Sequence, residues 1–319
     1  MKNEIQAAVI GAGMIGLSMC ALLTGNGIKT KLYVRRDPLK RKEQYKGVMD
    51  DLAEQKLLPS DAGSKCSSYL KVVTSYEELQ NVEVVFECAS EELGIKQKIY
   101  SDLLEHCPFL KVIASTTSAI PSEELAKGTC SPEKIVVAHP FYPPHLIPCV
   151  EVIPNRYTSD GTLNSLMELL RYLGRKPVLL KRDARGFVAN RLQYAMLREA
   201  VHIVEEGIAR PEDVDEILMY SFAPRYTSIG IFEHFDNCGL DLTGKICKDL
   251  YPDLSRETEV QELVQKHCRS GEYGVKTEKG IYDWKEKNIS EFRFRIREPY
   301  LKYFSWRLPE KECNWEETQ

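Results

Sequence analysis

The sequence predicts an α/β protein, a doubly wound and mostly parallel sheet followed by a smaller all-helical domain. Three observations predict it. A short apolar run, Ala7-Ala8-Val9-Ile10, leads directly into Gly11-Ala12-Gly13-Met14-Ile15-Gly16. Short apolar runs then recur as far as Leu180, most of them separated by polar or helix-patterned segments, and beyond Gly186 the apolar spacing changes to three or four residues. Parallel strands need long crossovers, so alternation of this kind builds a parallel sheet, whereas a period near 3.6 marks helices.

Taken in order, Ala7 to Ile10 is the first strand. In the G-x-G-x-x-G turn the three glycines do different things. Gly11 permits the tight turn, Gly13 lets a pyrophosphate approach the backbone, and Gly16 allows close packing of helix on strand. Free N–H groups at the helix start, through Met14 and Ile15, and the helix dipole attract phosphates, so a Rossmann-type dinucleotide site is expected. Leu17 to Thr24 continues the helix, which ends near Gly25-Asn26-Gly27, and Ile28 to Val34 completes a β-α-β unit. A lysine-rich helical stretch, Pro38 to Lys56, follows. Strand-like runs then come at Leu70 to Val73, Val82 to Glu87, Val112 to Ser115, Ile135 to Ala138, Val150 to Ile153 and Pro177 to Leu180. Phe187 to Glu206 reads as one long helix, with Val188, Leu192, Met196 and Ile203 on its apolar face and Gly207 as its stop. Pro211-Glu212-Asp213 starts another. The boundary falls near Asp183 to Arg185, giving a dinucleotide-binding domain over 1–184 and a helical domain over 185–319, without internal repeats.

A chain of 319 residues exceeds what one core usually supports, in keeping with two domains. The formal net charge of −4 argues against a nucleic-acid binder. No apolar run approaches the ~20 residues needed to cross a bilayer, and there is no signal-peptide core, so a soluble, cytoplasmic chain with no membrane partner is expected. Ten scattered cysteines without C-x-x-C pairs read as free thiols. Six histidines show no metal-ligand spacing, so no metal site is expected.

In an open α/β sheet, ligands bind beyond the carboxyl ends of the strands. Two of those ends are polar: Val112-Ile113-Ala114 runs into Ser115-Thr116-Thr117-Ser118, and Ile135-Val136-Val137-Ala138 runs into His139. A hydroxyl that loses hydride must also lose its proton, which makes His139 a candidate proton acceptor. Glu151 interrupts the apolar run Val150-Glu151-Val152-Ile153, and a buried acid wants a partner that His139 could supply. Spacing alone favours a plainer reading, with His139 a satisfied structural residue and Glu151 facing outward.

Together the glycine turn, Ser115-Thr116-Thr117-Ser118, His139-Pro140-Phe141-Tyr142-Pro143-Pro144, Val150-Glu151-Val152 and Gly186-Phe187-Val188-Ala189-Asn190-Arg191-Leu192 resemble the 3-hydroxyacyl-CoA dehydrogenase superfamily, in order and spacing, over nearly the whole chain. The resemblance is closest to its lambda-crystallin / L-gulonate 3-dehydrogenase branch, through Ala138-His139-Pro140 with Pro143-Pro144 and Ile147-Pro148, Asn190-Arg191-Leu192-Gln193-Tyr194-Ala195, and Val204-Glu205-Glu206-Gly207-Ile208. It implies that His139 is the general base in oxidation and the general acid in reduction, with Glu151 orienting it. It also implies that Ser118 hydrogen-bonds the reacting oxygen, that Asn190 holds substrate or the dyad, and that Glu91 and Lys96 touch the cofactor; a solvated-face reading of Glu91 and Lys96 stays open. Arg225, in Pro224-Arg225-Tyr226, is a candidate for holding a substrate carboxylate, since a guanidinium can do so bidentately; a surface arginine is the alternative. A homodimer through the helical domain is the family's expectation.

Two stretches depart from the pattern. NAD-binding members end the second strand with an acid, but 18 residues after Gly16 stands Val34, followed by Arg35 and Arg36. Arginines attract a 2′-phosphate, so NADP is the expected coenzyme and NAD the alternative, with Asp37 then taking the ribose. Gly271 to Trp284 resembles the G-x-L-G-x-K-x-G-x-G-F-Y tail of bacterial hydroxyacyl-CoA members. The expectation is an NAD(P)-dependent dehydrogenase of a small 3-hydroxy acid such as an L-gulonate-like sugar acid. The alternatives are a 3-hydroxyacyl-CoA dehydrogenase and, from another class, a crystallin-like structural protein.

Overall fold

The first apolar run forms β1 (Gln6–Ile10), and Ala7 to Ile10 are all buried. After α1 (Met14–Thr24), β2 (Lys29–Tyr33) pairs with β1 in parallel. After α2 (Pro38–Glu54) and α3 (Ala62–Ser68), β3 (Leu70–Val73) pairs with β2. The chain then crosses to the other side of β1 and lays down β4 (Val84–Glu87), followed by α4 (Leu93–His106), β5 (Val112–Ser115), α5 (Ser122–Ala126) and β6 (Ile135–Pro140). Each of these strands is parallel to its neighbour. Only residues 141–148 separate β6 from β7 (Cys149–Pro154), too few for a parallel crossover, so β7 runs antiparallel. After α6 (Asp160–Tyr172), β8 (Lys176–Leu179) follows β7 in parallel and completes the order β3-β2-β1-β4-β5-β6-β7-β8.

Both faces of the sheet are covered, so its central strands are mostly apolar and turn polar at their carboxyl ends, at Glu87, Ser115 and His139. Ala7 and Val9 of β1 join Leu22, Leu32, Met49, Phe86 and Leu166 on one face, while Ala8 and Ile10 join Val85, Tyr100, Leu103, Ile113 and Val137 on the other. The alternation follows from the two-residue period of a strand.

The computed structural model describes residues 5–315, which fall into two units, 5–187 with 296–315, and 188–295. The second unit holds α7 (Ala189–Glu205), α8 (Pro211–Tyr220), α9 (Ile231–Cys238), α10 (Leu240–Leu250) and α11 (Glu262–Arg269), and α12 (Ile289–Arg297) runs across the division. The segment after α12 does not stay with the helices, as a domain over 185–319 requires. Phe304, Trp306 and Leu308 pack on the core of the first unit, the Arg307 N–H donates to Asn26 Oδ1 at 3.3 Å, and Trp315 Nε1 donates to the Ser68 carbonyl at 2.9 Å. Among the described residues, no helix is long and apolar enough to cross a membrane, and no group of His, Cys, Asp or Glu could hold a metal ion. All ten cysteines are free thiols.

Candidate active site

The glycine turn is shaped by its neighbours. Gly11 has φ +102°, and a Cβ there would lie 2.6 Å from the Cys88 carbonyl oxygen; a Cβ on Gly16 would lie 1.9 Å from the Gly11 carbonyl oxygen. Packing therefore forbids a side chain at both. At Gly13 a Cβ would meet nothing within 4 Å, so packing within the fold does not explain that glycine. It borders a cleft of about 1100 Å³ whose lining includes Gly11, Ala12, Gly13, Val34, Arg35, Arg36, Asp37, Arg41 and Ser90. The N-terminus of α1 and an unfilled approach at Gly13 are what a pyrophosphate needs, so these residues fit a dinucleotide. Met14, the first residue of α1, is exposed, and Ile15 packs against the core. Val34 is buried, while Arg35, Arg36 and Asp37 are exposed. Asp37 precedes α2 in left-handed backbone, φ +56°, without a side-chain cap.

The spacing of His139 and Glu151 is explained by register. In the antiparallel ladder β6 and β7, these two residues stand directly opposite, which brings residues twelve apart in sequence face to face. His139 Nδ1 and Glu151 Oε2 are 2.8 Å apart, and both residues are nearly buried, at 5% and 3% exposure. The carboxylate can only accept, so Nδ1 carries the proton and the neutral ring keeps its lone pair on Nε2. The ring is held edge-on to Phe141 at 4.9 Å and tilted against Phe187 at 5.2 Å. Neither aromatic was singled out by sequence, although both lie inside the motifs that contain His139 and Asn190.

Ser118 projects beyond β5, the strand beside β6, and is exposed. The loop carrying it is tied to Glu91: Glu91 Oε1 accepts the N–H of Ser118 at 2.9 Å, the N–H of Ala119 at 3.1 Å and the hydroxyl of Thr117. Partial burial works against the charge of Glu91, but the Thr117 hydroxyl, the Lys96 ammonium and these two N–H groups hold its carboxyl below the usual range. Lys96 is 1% exposed, and its ammonium donates to Glu87 at 2.9 and 3.0 Å, with Glu91 Oε2 at 3.5 Å. Glu91 and Lys96 thus meet each other and the Ser118 loop. Glu87 escaped the sequence reading; its signal was an acid ending the apolar run Val84-Val85-Phe86, with Lys96 and Tyr100 one turn apart on α4.

Asn190 and Arg225 stand in the second unit. Asn190 lies in the first turn of α7 and is half-buried. Arg225 is exposed, with its guanidinium 3.1 Å from His234 Nε2.

Known proteins resemble the chain in both sequence and fold. Residues 6–184 match the family model described as 3-hydroxyacyl-CoA dehydrogenase, NAD binding domain, and residues 186–284 match 3-hydroxyacyl-CoA dehydrogenase, C-terminal domain. The chain is 31% identical over 278 residues to 5-formyl-3-hydroxy-2-methylpyridine 4-carboxylate 5-dehydrogenase of Mesorhizobium japonicum, covering 86% of this chain and 89% of that one. It is 32% identical over 234 residues to lambda-crystallin of Oryctolagus cuniculus, covering 70% and 72%. A crystal structure described as the 5-formyl-3-hydroxy-2-methylpyridine 4-carboxylic acid 5-dehydrogenase, an NAD+ dependent dismutase, superposes with a TM-score of 0.82 at 27% identity, covering 93% of this chain and 96% of that one.

Proposed function

The chain belongs to the 3-hydroxyacyl-CoA dehydrogenase family, as an NAD-dependent dehydrogenase acting on CH–OH, and from that premise we propose that its substrate is a small 3-hydroxy acid, in the manner of L-gulonate, rather than a CoA thioester. The observation that carries the chemistry is the buried His139–Glu151 pair at 2.8 Å, set at the end of the sheet. When bound, the nicotinamide ring supplies or accepts the hydride. His139 Nε2 takes the hydroxyl proton during oxidation and returns it during reduction, and Glu151 holds Nδ1–H and offsets the charge the ring gains. The Ser118 hydroxyl donates to the reacting oxygen. Asn190 steadies the substrate, and Arg225 binds its carboxylate. Gly11, Gly13, Met14, Ile15 and Gly16 hold the pyrophosphate, with Glu91 serving the nicotinamide end and Lys96, buried at 1% exposure, reaching it only through Glu91.

A free carboxylate is supported by the relative named for a small pyridine carboxylate. The family is NAD-dependent, but in this chain Arg35 and Arg36 stand exposed at the cleft rim beside Asp37, and their charge supports a preference for NADP, with Asp37 taking the ribose where NAD is used instead. The exposed apolar side chains of α7 to α10 support a homodimer. Ten free thiols suit the reducing cytoplasm.

The test is a rate screen of L-gulonate, related sugar acids and acetoacetyl-CoA, each with both coenzyme forms. The expected result is turnover of a sugar acid with a higher kcat/KM than acetoacetyl-CoA, and with the phosphorylated coenzyme ahead. A preference for acetoacetyl-CoA would replace the free acid by a thioester and leave the roles of His139 and Glu151 unchanged.

A further inference from the structure

Glu87 ends β4 at the carboxyl edge of the sheet, has no exposed surface, and takes no part in the chemistry above. Its register partners are Ile10, which precedes Gly11, and Ser115, which begins the segment leading to Ser118. Four groups converge on its carboxylate: Lys96 Nζ at 2.9 and 3.0 Å, the Ala89 N–H at 2.8 Å, the Tyr100 hydroxyl at 3.0 Å and the Ser115 hydroxyl at 2.8 Å. Lys96 and Tyr100 are four residues apart on α4, so one face of that helix delivers both. Replacing a buried ion pair by apolar side chains of similar shape often leaves a protein as stable or more so, which makes stability a weak reason for this one.

The pair has a second reach. Lys96 Nζ stands 3.5 Å from Glu91 Oε2, and the other oxygen of Glu91 holds the backbone of Ser118 and Ala119. Thr117 tightens the same turn, its hydroxyl accepting the Ile120 N–H at 2.9 Å. The turn itself holds Oε1 of this 40% exposed carboxylate, and Lys96 is the fixed cation that holds its other oxygen from beneath. We propose that Glu87 and Lys96 are positioning residues for Ser118: Lys96, fixed by Glu87, anchors Glu91, and Glu91 fixes the turn from which the Ser118 hydroxyl projects. The catalytic consequence rests on the reading of Ser118 given above, while the chain of contacts stands without it.

The experiment is residue-resolved amide hydrogen exchange on the full-length chain, which needs no substrate. In Lys96→Met, the Ser118 and Ala119 amides exchange at least about tenfold faster, while Ile113 and Val137 stay within about twofold of native. The double variant Glu87→Gln/Lys96→Met removes both charges together and gives the same localised change should the single variant fold poorly. Unchanged exchange at Ser118 and Ala119, or equal acceleration across β5 and β6, overturns the proposal, the latter marking a purely structural pair. Turnover of L-gulonate supplies the second arm: the loss of kcat in the double variant disappears in a Ser118→Ala background, because the two act through one hydroxyl. A loss of equal size in both backgrounds overturns the route through Ser118. Localised exchange together with native turnover in Ser118→Ala upholds the positional chain and removes the catalytic reading of Ser118 instead.

Discussion

Lys96 and Phe232 mark the difference between the two units. The ammonium of Lys96, in the sheet unit, is 1% exposed with a carboxylate oxygen at 2.9 Å, whereas the ring of Phe232, in α9, is 85% exposed. The contrast is general. The first unit buries Glu87, Lys96, His139, His145, Glu151 and Arg175 among apolar side chains, while α8 to α11 bury no residue at all and leave Leu240, Leu242, Ile246 and Leu250 in solvent. Charges inside a core persist only where partners are fixed in advance, so the sheet unit holds its chemistry ready-made. Apolar helix faces of this extent call for another surface.

The largest expected effect lies in the first unit. His139→Ala lowers turnover by about 10²–10⁴, the usual worth of a proton-transfer group, while coenzyme affinity measured by fluorescence quenching stays within about twofold. A parallel loss of affinity would mean that the ring holds the fold of the cleft rather than the proton.

A second effect follows from His145, whose Nδ1 lies 2.6 Å from the Ser18 hydroxyl. Burial, with Arg297 and Arg175 adding to it, pushes this imidazole down to about 4. Below the ordinary histidine value of about 6.5, the unfolded chain binds a proton that the folded chain refuses. Stability is therefore lost as pH falls from about 6.5 to about 4, by on the order of 3 kcal/mol, and no further below that. Urea denaturation across this range shows the slope, and His145→Gln flattens it; an unchanged slope in the variant would assign the loss to other groups.

The third prediction concerns the second unit. If the helical unit forms the proposed homodimer, Phe232→Glu together with Leu240→Glu weakens self-association at least about tenfold in sedimentation equilibrium, as expected for apolar anchors of an interface. A native chain that sediments as a monomer at all concentrations would break the comparison. The smallest effect belongs to the cleft rim, where Arg35→Gln/Arg36→Gln raises KM for NADP about tenfold more than for NAD, the worth of a charge-assisted phosphate contact. Equal effects on the two would make these arginines solvated loop charges.

The sheet was legible because alternation and the glycine turn are local signals, and Ala7 to Ile10 could scarcely form anything but a central strand. The antiparallel turn of β7 followed from a connection of residues 141–148, readable in principle from loop length. His139 and Glu151 were named from residue type and family pattern, but their contact depends on strand register, which spacing alone did not give. Glu87 was missed because its partners, Lys96, Tyr100 and Ser115, come from a helix and a neighbouring strand. The return of Trp306 and Trp315 to the first unit was hidden for the same reason, since nothing local says which core a tryptophan joins.

The proposed chemistry depends on the His139–Glu151 pair presenting a bare Nε2 for proton transfer. Its most direct test is ¹⁵N NMR of the His139 ring in the native protein, at a pH where the ring is neutral. The expected spectrum places the proton on Nδ1 and none on Nε2, with Glu151→Gln disturbing that preference. A neutral ring protonated on Nε2 would contradict it.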